Sequence, residues 1–315
     1  MSPFYDSIII GAGISGLTLA SRIRSQNKSF LILEKSAGVG GRMATRRGAH
    51  CTYDHGAQFI DLKKDEDNPW KETLKIEEQG KLWFSSSQSD YIVFPKGMTQ
   101  FPKSLASTMN VKLNEKVIRI DMHDSFYVLT TEQGATYHTK ELFITCPLPQ
   151  SLSLLKDSQI PYPIELDEIR YASALVGLLE IQTNDKRLYS INHLQNVSDE
   201  IHAISNQWSK GVSQNLAFTV TMQPAWSEKY FAQEESETQL KILTAFQNAL
   251  TPISSRDSYI ISCSQLKKWR YSQPLQTHSS AFVAVTENIY LLGDAFGYGG
   301  IKGAIHSAYS VPLYE

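Results

Sequence analysis

Short apolar runs alternate along this chain with segments whose apolar positions recur every three or four residues, and that alternation predicts an α/β fold. Ser7 to Ile10 carries three successive isoleucines, the run expected of a parallel strand buried on both faces. Ile14 to Ile23 places Leu17, Ala20 and Ile23 on one side, so a helix follows. Phe30-Leu31-Ile32-Leu33 then supplies a second strand and closes a βαβ unit. Further on, the pattern predicts a helix over Phe101–Met109 and strands near Lys116–Met122, Phe126–Thr131 and Ala135–His138. A separate short buried strand is expected at Leu142–Cys146, ended by Pro147 and Pro149. Alanine- and valine-rich strands are expected near Ala172–Ile181 and Leu216–Thr221, and an amphipathic helix over Glu237–Leu250. Asn288–Leu292 reads as a last strand, with a helix from about Ile301 to Ser310. The charged run Lys63-Lys64-Asp65-Glu66-Asp67 reads as a solvated surface loop.

The glycines between these elements bring in chemistry. Gly11, Gly13 and Gly16 sit between the first strand and its helix, where they permit a tight turn, close approach to a pyrophosphate and close helix–strand packing. The N–H groups at Ile14 and Ser15 open the helix and, with its dipole, favour an anion. Glu34 ends the second strand eighteen residues after Gly16, where a carboxylate accepts from a ribose hydroxyl; this favours FAD or NAD over NADP. The dinucleotide site is therefore expected at Gly11, Gly13, Ile14, Ser15, Gly16, Glu34 and the adjoining Lys35.

Two more segments favour FAD. Ser36 to Arg47 is a glycine loop carrying three arginines, suited to a second phosphate and a flavin rim, with contacts expected from Gly41, Arg42 and Met43. Gly293-Asp294 follows the last strand; Asp294 can accept from a ribityl hydroxyl. The helix start around Gly300, Ile301 and Ala304 can direct N–H groups at a flavin carbonyl. A plain NAD domain needs neither segment. Noncovalent FAD is the expected cofactor.

Composition narrows the class further. The 315 residues are 42% hydrophobic, enough for a large core and two domains. These are expected to interleave, with a FAD-binding domain from 1–60, 98–150 and 275–315 and a mixed-sheet substrate domain from 61–97 and 151–274. A net charge of −2 gives no footprint for nucleic acid or an anionic membrane. Cys51, Cys146 and Cys263 are too far apart to read as a metal or redox set, and each is expected to be a small buried hydrophobe in a reducing compartment. No signal peptide or membrane-spanning run is read, so a cytoplasmic protein is expected. No catalytic histidine or carboxylate pair has persuasive spacing. A flavin dehydrogenation needs none, because the cofactor carries most of the chemistry. Trp269 and Tyr271 alternate with Arg270 on an expected strand and are candidates for substrate contact, with Trp269 equally suited to core packing.

Gly40-Gly41-Arg42-Met43-Ala44-Thr45-Arg46, Asp54-His55-Gly56-Ala57-Gln58-Phe59, Trp269-Arg270-Tyr271-Ser272-Gln273-Pro274 and Gly293-Asp294 together resemble renalase and its bacterial relatives. These are amine-oxidase-like flavoproteins with a p-hydroxybenzoate-hydroxylase-type fold, that is, a Rossmann-type FAD domain interleaved with a substrate domain. The resemblance implies flavin contacts from Ala57, Gln58 and Phe59, with Phe59 also a substrate-contact candidate, and a backbone contact from Val117 to the adenine. It also implies oxidation of off-pathway isomers of reduced NAD or NADP by hydride transfer to flavin N5, with oxygen or a quinone as acceptor. An amine substrate, a related oxidation such as porphyrinogen or carotenoid desaturation, and a flavin-binding redox sensor without turnover stay open. The chain departs from the family pattern at Lys302, where an acid often precedes the helix glycine, and its last helix reads as short.

Overall fold

The protein is described by a computed structural model covering residues 3–66 and 70–313; Asp67 of the charged run and Tyr314 and Glu315 of the tail lie outside the described residues. It divides into two compact units, one of residues 1–42, 101–171 and 273–315, the other of 43–100 and 172–272. Residues 43–60 and 98–100 thus group with the second unit rather than the first, and 151–171 and 273–274 with the first rather than the second. Packing explains the two larger shifts. Tyr53 and Cys51 are buried among Ala174, Val176, Leu178 and Ala217 of the second unit. The helix Leu148–Asp157 buries Leu148, Leu152 and Leu155 in the core of the first.

The first unit is built on a sheet whose strands run in the order 282–286, 289–292, 136–144, 4–10, 30–33 and 111–112. The strands from 289–292 to 111–112 are parallel neighbours. Alternation along them sorts residues into two cores. Ile9, Ile32, Phe143, Tyr290 and Leu292 face the helices Ile14–Ser25 and Gly300–Ser310. Ile8, Ile10, Leu31, Leu33, Leu142, Ile144 and Leu291 face the opposite way, onto the Leu148–Asp157 helix. Burial on both faces is why Ile8–Ile10 and Leu31–Leu33 read as unbroken apolar runs. Arg22 ties the first helix to the end of the last, donating to the carbonyls of Ala308 (2.7 Å) and Val311 (2.9 Å).

One expectation is corrected. The two strands expected at Ala135–His138 and Leu142–Cys146 are one strand, Thr136–Ile144. Its first half pairs antiparallel with Tyr127–Thr131, and it pairs parallel with Phe4–Ile10 from His138 to Ile144. The polar residues that break the apolar pattern are used by the neighbouring strand: Lys140 pairs with Asp6 (3.1 Å), and Ser7 donates to Glu141 (2.9 Å).

The second unit holds a five-stranded sheet in the order 193–195, 201–206, 217–222, 171–183 and 259–274, with the helix Glu235–Leu250 packing Ile242, Ala245, Phe246 and Leu250 into its core. Gly177 lets that helix approach, since a Cβ there would stand 2.7 Å from Ile242. A three-stranded antiparallel sheet, 60–63, 89–93 and 81–85, and a hairpin, 45–47 with 52–54, complete it. No described helix is long and apolar enough to cross a membrane.

Phe143 is fully buried at the centre of the parallel sheet and stacks on Tyr290 with ring centroids 5.3 Å apart. Phe143→Ala is expected to lower unfolding stability by about 3–5 kcal/mol in chemical denaturation.

Candidate active site

In the first unit the glycine turn is fixed by backbone crowding. Gly11 has φ +107°, and its N–H donates to the Leu33 carbonyl at 2.8 Å. A Cβ on Gly16 would lie 2.1 Å from the Gly11 carbonyl oxygen, so only glycine fits. Thr145, at the end of the neighbouring strand, donates to the carbonyls of Ile10 (3.0 Å) and Gly11 (3.1 Å). The helix beyond begins at Ile14 on Gly13, which offers no side-chain cap, and no acid stands in its first turn. Beside it the Ser15 hydroxyl is buried without a hydrogen-bond partner. These unspent donors are what an incoming phosphate requires.

Glu34 is buried, and each carboxylate oxygen accepts one backbone N–H, from Ala12 and from Ser36, both at 2.8 Å. One acceptor position per oxygen is left for a ribose. The glycine loop folds back on the same turn. Gly40 donates to the Ala12 carbonyl at 2.8 Å, and a Cβ on Gly41 would lie 3.6 Å from Gly13 Cα. Lys35 is exposed and donates to Gln150, while Val117 is buried in the strand Val117–Met122.

The far end of the chain joins this group. Gly293 has φ +140°, and a Cβ there would stand 3.8 Å from the Thr145 carbonyl, so the two glycine segments flank one residue. Asp294 is buried and takes a two-pronged contact from Arg42, Nη1 to Oδ2 at 2.5 Å and Nη2 to Oδ1 at 2.7 Å, plus the Tyr171 hydroxyl at 2.9 Å. Burial works against the Arg42 charge, and Asp294 together with Tyr171 more than offsets it, leaving the guanidinium above its ordinary pKa. Burial, then Asp294, holds the Tyr171 phenol up. The helix Gly300–Ser310 starts on Gly299, again with no side-chain cap and no acid in its first turn. Gly303 is required there, because a Cβ would overlap the Tyr298 carbonyl at 1.4 Å. Ile301 is half-buried beside it and Ala304 is buried, while Lys302 lies over the Tyr298 ring at 4.7 Å. Cys146 is pushed up to about 12, first by burial and then by Glu34, and stays a thiol.

The second unit carries the remaining candidates. Met43 is buried, its carbonyl accepting from Thr99 Oγ1 at 2.8 Å. Trp269 lies on the long strand Tyr259–Pro274, stacks on His55 (5.4 Å, 21°) and donates from Nε1 to the His55 carbonyl at 2.7 Å. Tyr271, two residues on, is half-buried. Phe59 is half-buried in an aromatic group with Tyr91 (4.8 Å) and His193 (5.3 Å). Ala57 is half-buried as well. The Gln58 amide is fully used inside the protein. Nε2 donates to the carbonyls of Asp54 (2.7 Å) and Gly56 (3.1 Å), and Oε1 accepts from Gln207 (3.0 Å) and Lys210 (3.3 Å). Its side chain therefore has no hydrogen-bonding position left for a ligand.

Sequence reasoning missed Lys210 altogether. It is fully buried and paired with Asp54 at 2.6 Å, 156 residues away in the chain. It also left out His193, which bonds Ser205 through Nδ1 (2.9 Å) and Gln195 through Nε2 (2.7 Å). The cysteine reading is corrected at one position: Cys263 is exposed, while Cys51 is buried and Cys146 half-buried. Cys263 lies on the strand Tyr259–Pro274 at the edge of its sheet, where burial is incomplete. No cluster of metal-ligating side chains occurs among the described residues.

Gly303→Ala should displace the start of the last helix and lower FAD occupancy, read from the visible flavin absorbance of the purified protein. A second expectation concerns pH. His55 is pushed down to about 4, first by burial and then by Lys267, against an ordinary 6.5. As pH falls the unfolded chain binds the extra proton first, so the stability held by neutral His55 is complete above about 6.5 and lost towards about 4. The drop in melting temperature between pH 7 and 4.5 should therefore be larger in the wild type than in His55→Phe.

Comparison with known proteins agrees with this geometry. The description "NAD(P)-binding Rossmann-like domain" fits residues 9–75, and "Flavin containing amine oxidoreductase" fits residues 66–311. Renalase of Mus musculus is 28% identical over 171 residues, 48% of this chain and 49% of the mouse protein, so the match spans about half of that relative. Among solved structures, the "Putative protoporphyrinogen oxidase" from Exiguobacterium sp. 255-15 superposes with a TM-score of 0.71 at 13% identity, over 98% of this chain and 97% of that one. Cyclohexylamine oxidase from Brevibacterium oxydans IH-35A gives 0.70 at 13% identity over 97% of each chain. At such identities these two structures speak to the fold alone. The uncapped helix starts, the Ser15 hydroxyl and the glycine cradle fit FAD. The chain belongs to the flavin-containing amine oxidoreductase family, resembles renalase within it, and uses FAD.

Proposed function

We propose that this protein oxidises dihydropyridine dinucleotides, the off-pathway isomers of reduced NAD or NADP, by hydride transfer to flavin N5, with the electrons passed on to oxygen or a quinone. Noncovalently bound FAD supplies the two-electron acceptor. The observation that carries the flavoenzyme reading is the meeting of three glycine segments around Thr145 and the Arg42–Asp294 pair in one unit. Gly11, Gly13, Ile14, Ser15 and Gly16 would hold the pyrophosphate, with Glu34 on a ribose. Gly41, Arg42, Asp294, Gly300, Ile301 and Ala304 would hold the flavin half. Arg42 neutralises Asp294 and fixes its direction, so that the carboxylate keeps an acceptor position for a ribityl hydroxyl.

The substrate class rests on the renalase resemblance and on one chemical feature. Hydride loss from a dihydropyridine produces an aromatic cation and needs no base. The candidate groups of each unit suit that economy. His55 in the second is a neutral, weakly basic imidazole at pH 7, and Cys146 in the first is a thiol. Trp269 and Tyr271 are the aromatic surfaces proposed to meet the substrate ring, and Phe59 is the third.

The test is to purify the protein, record its visible spectrum and mix it anaerobically with the isomers made by borohydride reduction of NAD. Rapid bleaching of the flavin band, with ordinary NADH inert, is the expected result. Bleaching by an amine instead would move the substrate to the amine class, and a bound flavin that no reductant turns over would make the protein a sensor. Absence of flavin that cannot be restored would overturn the reading.

A further inference from the structure

Lys210 is the one lysine among the described residues with no exposed surface, and its partner Asp54 has none either. An ammonium removed from water requires compensation in every direction. Here Nζ meets Asp54 Oδ2 at 2.6 Å and Gln58 Oε1 at 3.3 Å, and lies 5.5 Å from the centre of the Trp83 ring. The other oxygen of Asp54 accepts from Thr45 Oγ1 at 2.6 Å and from the Met98 N–H at 2.7 Å. The backbone of Asp54 is held as well, its N–H by Gln207 Oε1 at 3.1 Å and its carbonyl by Thr219 Oγ1 at 2.8 Å. Gly97 makes room for this arrangement, because a Cβ there would come within 2.8 Å of Asp54 Oδ1.

All of these bonds converge on one turn. Asp54 and Gln58 bracket His55-Gly56-Ala57, and the Gln58 amide closes the turn by donating to both Asp54 and Gly56. What orients that amide is the pair of donors on Oε1, Gln207 Nε2 and Lys210 Nζ. With the amide turned inward, the half-exposed groups left to face a ligand are His55, Gly56, Ala57 and Phe59. A buried ion pair adds little net stability over apolar residues of equal volume, yet is strict about geometry. That combination suits a device that sets a shape.

We propose that Lys210 is a positioning residue: its ammonium, anchored by Asp54, orients Gln58 and thereby fixes the path of the 54–59 turn, to which the renalase resemblance assigns flavin contacts. The inference rests on the flavoenzyme reading, since only there does the shape of this turn bear on the reaction.

Three variants test it: Lys210→Met, Lys210→Arg and the double variant Asp54→Asn with Lys210→Met. In the protein as purified, hydrogen exchange of the amides at Asp54 and Met98 should speed up about tenfold in Lys210→Met. In the loaded protein, the limiting rate of flavin reduction by borohydride-reduced NAD should fall up to about a hundredfold, with the half-saturating concentration changed far less. Lys210→Arg, which keeps the charge, should recover part of that rate. The double variant should recover the melting temperature but not the rate, nor the wild-type midpoint potential of the flavin. Recovery of rate and potential along with the melting temperature would reduce Lys210 to a structural role and overturn the inference. So would wild-type exchange and potential in Lys210→Met. Should the wild type itself take up no FAD, the flavoenzyme reading fails first, and this inference with it.

Discussion

The structure of the first unit depends on how closely two backbones can approach. The strand Phe4–Ile10 hands over to the helix Ile14–Ser25 within three residues, and the carbonyl of Gly11 sits where a side chain on Gly16 would have to be. That approach seats the helix on the sheet and leaves its first N–H groups unshared. Thr145 occupies the next layer and binds the same carbonyl, so the neighbouring strand is locked to the turn as well. The second glycine segment is then built against Thr145 from the opposite end of the chain. A cradle for a dinucleotide thus arises from the absence of side chains, and the polar groups around it are oriented rather than created by the fold.

Most of this is legible in the sequence because it depends on local chemistry. The glycines, the isoleucine run and Glu34 lie within one βαβ unit, and each constrains its immediate neighbours. The parallel strands are visible because burial on both faces erases the polar alternation. What is not legible depends on partners far away. Lys210 stands in the polar stretch Asn206-Gln207-Trp208-Ser209-Lys210-Gly211, which carries no motif; its burial is decided by Asp54. The use of the Gln58 amide is hidden for the same reason: it is spent on Asp54, Gly56, Gln207 and Lys210, the last two about 150 residues away. The strand Thr136–Ile144 reads as two because Lys140 and Glu141 interrupt its apolar pattern, and their partners Asp6 and Ser7 are more than 130 residues away.

The two candidate regions use charge differently. In the first unit Arg42, Asp294 and Tyr171 form a largely buried group in which Arg42 keeps some exposed surface. In the second, Lys210 and Asp54 are sealed and saturated, and their effect on chemistry can pass only through the turn they shape. Neither arrangement needs a strong base. This agrees with a reaction in which the organic cofactor accepts the electrons and the protein supplies orientation and exclusion of water.

The clasp of Arg22 on the carbonyls of Ala308 and Val311 has a consequence for how the protein is made. The first helix packs not only on the early strands but also on the helix Gly300–Ser310, which follows the strand Ile289–Leu292 near the other end of the sequence. During synthesis the first glycine turn emerges early but remains without half of its support until the segment around Val311 has left the ribosome. A cradle made of both glycine segments is complete only in a chain whose distant parts have met.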